Sequence, residues 1–222
     1  MIKRVPSETE FRGDPLLPVA ELLHRVENEY ARVISLASVM AANSSIEETK
    51  LALRDITSLL HTTAEIYRVL RPPTVQGVTD LTEVLTRLCR AMAASSQFRH
   101  CEIGLELRVD KPILIDASRC WLLSLVVAEL ITNSYRHAFV SSSGCIRVTA
   151  GESRNRVFCE VSDDGSPAEM VRTGFGTQLI NAIGTELKGM VERRFGNSGA
   201  TVTISFPKPP PTIVVKDYEY PG

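Results

Sequence analysis

Residues 122–139 form the stretch that most restricts what this chain can fold into. Leu122, Leu123, Val126, Leu130, Ile131, Tyr135 and Phe139 recur at spacings of three to five, which predicts a helix buried over a wide arc. Glu129, Asn133, Arg136 and His137 are out of character on such a helix. Glu129, Asn133 and His137 stand four apart in turn and therefore line one side. A buried polar group left unpaired costs about 1–3 kcal/mol, so each of these needs a partner. Any one of them alone reads as a side chain satisfied within the fold. The set together points to a site, with a bound ligand as one of the partners.

A chain of 222 residues exceeds the usual ~100–200 residues of a single domain, so one large or two modest domains are expected. Hydrophobic residues make up 44%, enough for a core, and a formal net charge of −1 does not favour nucleic acid or an anionic membrane as partner. Cys89, Cys101, Cys120, Cys145 and Cys159 contain no Cys-x-x-Cys pair. They read as reduced, mostly buried thiols, not a disulfide frame or a zinc site. The basic residues Lys3 and Arg4 are followed by no apolar run, and no apolar segment reaches the ~18 residues that span a bilayer. The expectation is a cytoplasmic protein without a signal peptide or membrane insertion.

In chain order, Leu16 to Ala42 carries Leu23, Val26, Tyr30, Val33, Ala37 and Met40 in three-four alternation, the seam of a packed helix. His24 falls off that seam, on the side of Asn28, Ala31 and Ser35, and is expected to be accessible. Ser45 with Glu48 reads as a capping box. The second helix then shows Ile46, Thr49, Leu53, Ile56, Leu60, Thr63, Tyr67 and Leu70, ending at Pro72-Pro73. A hairpin of two such helices buries too little of its apolar faces alone. Pairing two copies into a four-helix bundle solves this; a hairpin packed only on its own chain is the other arrangement.

Beyond Thr74–Gly77 the pattern becomes that of a mixed domain. Asp80 with Glu83 caps a helix bearing Leu81, Val84, Leu85, Leu88, Cys89 and Met92; Asp116 caps the central one. Period-two runs mark strands at Cys101–Val109, Ile146–Ala150 and Val157–Val161, and a helix follows Gly176. Two more strands, Met190–Phe195 and Ala200–Phe206, flank the turn Gly196-Asn197-Ser198-Gly199. Helices with a mostly antiparallel sheet imply a two-layer α/β sandwich. Two loops suit a nucleotide. Asp163-Asp164-Gly165 sets a carboxylate at a strand end, where it can accept the amino group of adenine while Gly165 admits the ring. Gly174-Phe175-Gly176 opens a helix whose N–H groups can face phosphate.

The Glu129-x-x-x-Asn133 pair resembles the N-box of histidine kinases and the wider Bergerat-type ATPases. Its continuation Arg136-His137-Ala138-Phe139 is typical of the HWE and HRXXN branch, and His24-Arg25-Val26-Glu27-Asn28 matches the His-Arg-x-x-Asn motif of that branch. The loops around Asp163 and Gly174 and the closing Gly199–Pro207 stretch are similar to the family's glycine boxes, so the likeness runs from about Leu16 to Pro207.

The resemblance implies an α+β fold: residues 1–73 an antiparallel hairpin that dimerises into a four-helix bundle and accepts phosphate, 78–207 a two-layer Bergerat-type sandwich, and 208–222 a Pro-rich tail. It implies ATP and Mg2+ as cofactors, with Asn133 on the metal, Glu129 catalytic, and Asn133, Arg136, His137, Asp163, Gly165, Gly174, Gly176 and Thr201 around the nucleotide. His24 would accept the phosphoryl group, helped by Arg25 and Asn28, and a response-regulator receiver domain would take it, with the chain a homodimer. An imidazole with an ordinary pKa near ~6.5 is largely neutral and nucleophilic at pH 7.

The chain departs from the family pattern in four ways. Pro167 stands where the first glycine box has a second glycine, Ser166–Thr173 is a short lid, Glu27 and Glu29 are acidic, and no sensor domain precedes the hairpin. A histidine phosphotransfer protein that relays phosphate without ATP is therefore the alternative, and a purely structural interaction module a third. In the tail, Thr212–Val215 reads as an added edge strand or a loose segment.

Overall fold

A computed structural model describes residues 17–95, 102–139, 143–165, 175–196 and 198–208. The chain divides into two compact units, Met1–Pro72 and Pro73–Gly222.

The first unit is an antiparallel hairpin of α1 (Leu17–Asn43) and α2 (Glu47–Val69). The covered side of α1 runs through Leu23, Val26, Tyr30, Ile34, Ala37 and Ala41, and the Tyr30 and Tyr67 rings meet at 5.5 Å between centroids. This corrects the expected seam in its second half, because Val33 and Met40 are 47% and 52% exposed. The reason is geometric. A straight helix repeats every 3.6 residues and drifts by about 20° per heptad from a 3.5-residue stripe, so the covered position slips by one. On α2, Ile46, Thr49 and Ile56 likewise face outward while Leu53, Thr57, Leu60 and Ala64 are covered.

The expected capping box does not form. Helix α2 starts at Glu47 with Ile46 as its N-cap and no side-chain cap, and Ser44 Oγ instead accepts the Ile46 N–H at 3.1 Å. Ser45 is thus one residue too early to cap.

The second unit holds α3 (Leu81–Ala94), α4 (Ala117–His137) and α5 (Phe175–Glu186). Its main sheet comprises β2 (Ile103–Arg108), β4 (Gly144–Ser153), β5 (Arg156–Asp163), β6 (Met190–Gly196) and β7 (Gly199–Pro207), in the order β2-β4-β5-β7-β6. Only β2 and β4 run parallel.

Alternation decides which face is covered. Ile146, Val148 and Ala150, Val157, Cys159 and Val161, and Val202, Ile204 and Phe206 are all buried. Each large side chain so removed from water contributes about 1.5–3 kcal/mol. The opposite face carries Arg147, Glu160, Thr203 and Ser205, giving the two-layer sandwich expected.

A two-stranded ribbon the sequence did not disclose packs against α4. Strand β1 (Val78–Asp80) pairs antiparallel with β3 (Leu114–Asp116). Both strands end in an aspartate that caps the next helix: Asp80 Oδ1 accepts from Thr82 N at 2.9 Å, and Asp116 Oδ1 from Ser118 N at 2.9 Å. The ribbon thereby fixes where α3 and α4 begin.

Candidate functional site

Helix α4 brings polar groups out of an otherwise apolar surround. Its residues from Leu122 to Ala128 are all buried, and beyond them Glu129, Asn133 and Ser134 are half-buried and hydrogen-bond to other side chains. Asn133 Nδ2 donates to Glu129 Oε1 at 3.1 Å, the four-residue spacing having stacked them. Among the described residues no hydrogen bond uses the Asn133 carbonyl oxygen.

The first turn of α5 stands over the same pair. A Cβ on Gly176 would lie 1.8 Å from Glu129 Oε1, so glycine here lets the helix start without displacing the Glu129 carboxylate from Asn133. No acidic residue occupies that first turn, and since the first N–H groups of a helix have no partner within it, its positive dipole end favours an anion. Arg136 and His137 sit exposed in the last turn of α4.

Asp163, at the end of β5, is the best-connected group of the site. Its Oδ1 accepts Gly165 N at 3.3 Å and Ala200 N at 3.1 Å, and its Oδ2 accepts the Ser134 hydroxyl at 2.7 Å. Three chain segments therefore fix one carboxylate. Gly199, at φ +113°, makes this possible, since a Cβ there would meet the Asp163 carbonyl oxygen at 1.8 Å. Asp164 turns away and accepts Cys145 N at 2.7 Å.

Packing also requires Gly165: a Cβ would stand 2.4 Å from the Ala138 carbonyl oxygen, so its missing side chain admits the end of α4. One expectation changes. Thr201 is misassigned. It pairs with Ser162 and alternates with buried Val202, so its side chain projects to the opposite face of the sheet. The residue beside Asp163 on β7 is Ala200, through its backbone. Gly174, Pro167 and the Ser166–Thr173 lid lie outside the described residues. Ser134 was missed by the sequence reading; its one signal was a hydroxyl within a mostly buried helix.

These residues fit a magnesium nucleotide. An ionised carboxylate offers about four acceptor positions, and Asp163 uses three, leaving one for an amino group. A magnesium ion keeps several waters and takes few protein ligands, which suits the single amide oxygen of Asn133. Among the described residues no cluster of three or more His, Cys, Asp or Glu side chains is arranged to hold a metal outright.

In the helical unit His24 is exposed on α1, with its Nδ1 3.4 Å from the Asn28 amide. Arg25 is paired with Glu21 at 2.6 Å and Glu29 with Arg32 at 2.6 Å. Glu27 receives Arg71 from the end of α2 at 2.5 and 3.1 Å, a two-bond pair that raises the Arg71 pKa. The acidic residues after His24 are thus each matched by a cation.

Hairpin and sandwich together define an α+β architecture of the kind found in histidine-kinase domains. A family model described as histidine kinase, HisKA_2, matches residues 21–96. The sensor histidine kinase PdtaS of Mycolicibacterium smegmatis is 26% identical over 172 residues, 76% of this chain. The histidine kinase domain of the Erythrobacter litoralis blue-light-activated kinase EL346 aligns with a TM-score of 0.58 at 16% identity, covering 80% of this chain and 96% of that one. Full-length ShkA, solved in complex with AMPPNP, aligns with a TM-score of 0.54 at 18% identity, covering 86% of this chain and 45% of that one. The chain is thus similar to histidine kinases, with the family model matching about a third of it, and it spans about a third of the length of the curated relative.

Proposed function

We propose that the chain transfers the γ-phosphoryl group of ATP to His24 and passes it on to an aspartate of a response-regulator receiver domain, working as a homodimer. In this reading residues 1–73 dimerise and carry the phosphoacceptor, and residues 78–207 bind the nucleotide. The observation that carries it is the Asp163 carboxylate, fixed by Ser134, Gly165 and Ala200, together with the Glu129–Asn133 pair that the start of α5 approaches at Gly176.

The roles follow from that placement. Asp163 accepts the amino group of adenine, and the N–H groups at Gly176 face the phosphates. Mg2+, held by the carbonyl oxygen of Asn133, supplies charge neutralisation on the triphosphate. Glu129 orients Asn133 through their hydrogen bond.

At His24 the nucleophile is the ring nitrogen away from the helix. With the Asn28 amide turned so that its oxygen accepts Nδ1–H, the lone pair lies on Nε2. Nε2 forms the bond to phosphorus as the bond to the β-phosphate oxygen breaks, and ADP carries off the electron pair. Arg25 is freed for the phosphate at small cost, because an exposed ion pair contributes only about 0–1 kcal/mol.

The exposed apolar residues Leu22, Leu36, Val39 and Met40, 52–62% accessible, support pairing of two hairpins. No helix among the described residues is long and apolar enough to cross a membrane, which accords with a cytoplasmic place of action.

Incubation with γ-labelled ATP tests the proposal. Label on the wild-type chain and none on His24→Ala supports it. Label that arrives only from a phosphorylated receiver domain would favour the ATP-independent relay.

A further inference from the structure

Three serine and threonine hydroxyls lie along the middle and end of α4, and they behave differently. Ser124 Oγ donates back to the Cys120 carbonyl at 2.9 Å, and Thr132 Oγ1 to the Ala128 carbonyl at 2.8 Å. That return to the preceding turn is the ordinary outcome for a helical hydroxyl. Ser134 does otherwise: its hydroxyl leaves the helix and donates to Asp163 Oδ2 at 2.7 Å. Neighbouring helical positions are turned by about 100°, so Asn133 meets Glu129 while Ser134, one residue on, reaches β5.

We propose that Ser134 is a positioning residue that sets base specificity in this nucleotide site, by holding Asp163 as a carboxylate able only to accept. The proposal rests on the nucleotide-binding reading above. Oδ1 is occupied by two backbone N–H groups at 3.1 and 3.3 Å, and Oδ2 by Ser134, so the one acceptor position left belongs to Oδ2. A purine edge with an amino group satisfies that position. A keto oxygen would set lone pair against lone pair and leave two desolvated acceptors unpaired, a strong basis for rejection. Without the Ser134 hydroxyl, Oδ2 loses its only donor among the described residues and the carboxylate can turn about its held oxygen.

Calorimetric titration of the full chain with Mg-ATP and with Mg-GTP decides the matter, using wild type, Ser134→Ala and Ser134→Thr. For Ser134→Ala the expected result is ATP affinity weakened about tenfold or more, the usual weight of a hydrogen bond to a charged group, with GTP affinity unchanged, so that the preference shrinks by the same factor. Ser134→Thr, which keeps the hydroxyl, should restore the preference to within about threefold of wild type. Thermal midpoints without nucleotide separate packing from positioning. Equal weakening of both nucleotides, or an unchanged ATP preference in Ser134→Ala, overturns the assignment while leaving the nucleotide-binding reading intact. A wild-type chain that binds neither nucleotide overturns both.

Discussion

At the scale of single residues, two glycines of the site are required for different reasons, and the difference is measurable. At Gly176 an added methyl group would strike the flexible end of Glu129, which can withdraw by abandoning Asn133. At Gly199 it would strike the Asp163 backbone from a positive φ that side chains resist. Gly199→Ala is therefore expected to cost about 2–5 kcal/mol of stability, from strain and overpacking together, and Gly176→Ala less than about 2. Gly176→Ala should instead impair nucleotide binding. Urea midpoints and ATP titrations on the two variants check the contrast.

Burial also pushes the thiols of Cys89 and Cys120 up to about 12 from an ordinary 9.0, and Cys159 above them. Between those values the unfolded chain releases protons that the folded one retains. The stability these thiols contribute is thus complete below pH 9 and lost as pH rises toward 12. Replacing Cys89 and Cys120 by Ala should flatten the fall of the melting temperature over that range.

The residues that could be recognised from sequence were those whose chemistry clashed with their setting. Glu129 and Asn133 stood out because carboxylate and amide are costly on an apolar helix. Ser134 did not, because helical hydroxyls usually satisfy themselves locally. Thr201 was misplaced by one residue, and a shift of one in a strand exchanges the two faces of the sheet.

At the scale of elements, periodicity located every long helix and strand but was less exact about facing. The α1 seam was right through Tyr30 and slipped at Ile34, where helical drift had accumulated. The β1–β3 ribbon was not legible, since three-residue strands carry too few positions for an alternation to show. The outward apolar residues of α1 that the slip reveals include Val33, Leu36 and Met40.

These residues lead to an element-level expectation. For the proposed dimer of hairpins, Leu36→Glu, at a position 62% exposed, should leave the helicity of the chain intact and disfavour the proposed dimer in sedimentation. A dimer of undiminished affinity would remove α1 from the interface.

At the scale of the whole molecule, the polar sheet face and the strand ends are tied by exposed ion pairs. Arg108 and Arg147 hold the Glu106 carboxyl below its ordinary 4.5, and Lys208 with Lys111 does the same for Glu152. A lowered carboxylate stabilises the fold above its unfolded value, so this contribution is lost as pH falls below 4.5. The melting temperature should decline below that pH, less steeply in Glu152→Gln, and the difference should shrink in high salt.

Asp163 and the Glu129–Asn133 pair in the second unit and His24 in the first carry the proposed chemistry, in which phosphate moves from ATP to His24. Mass spectrometry of peptides from the full chain after incubation with Mg-ATP, handled under alkaline conditions that preserve phosphoramidates, reads this directly. The expected result is a single phosphate on the His24 peptide, lost on brief acid treatment and absent from Asp163→Asn. Phosphate on another residue such as His61, or an unmodified His24 peptide after prolonged incubation, would contradict it.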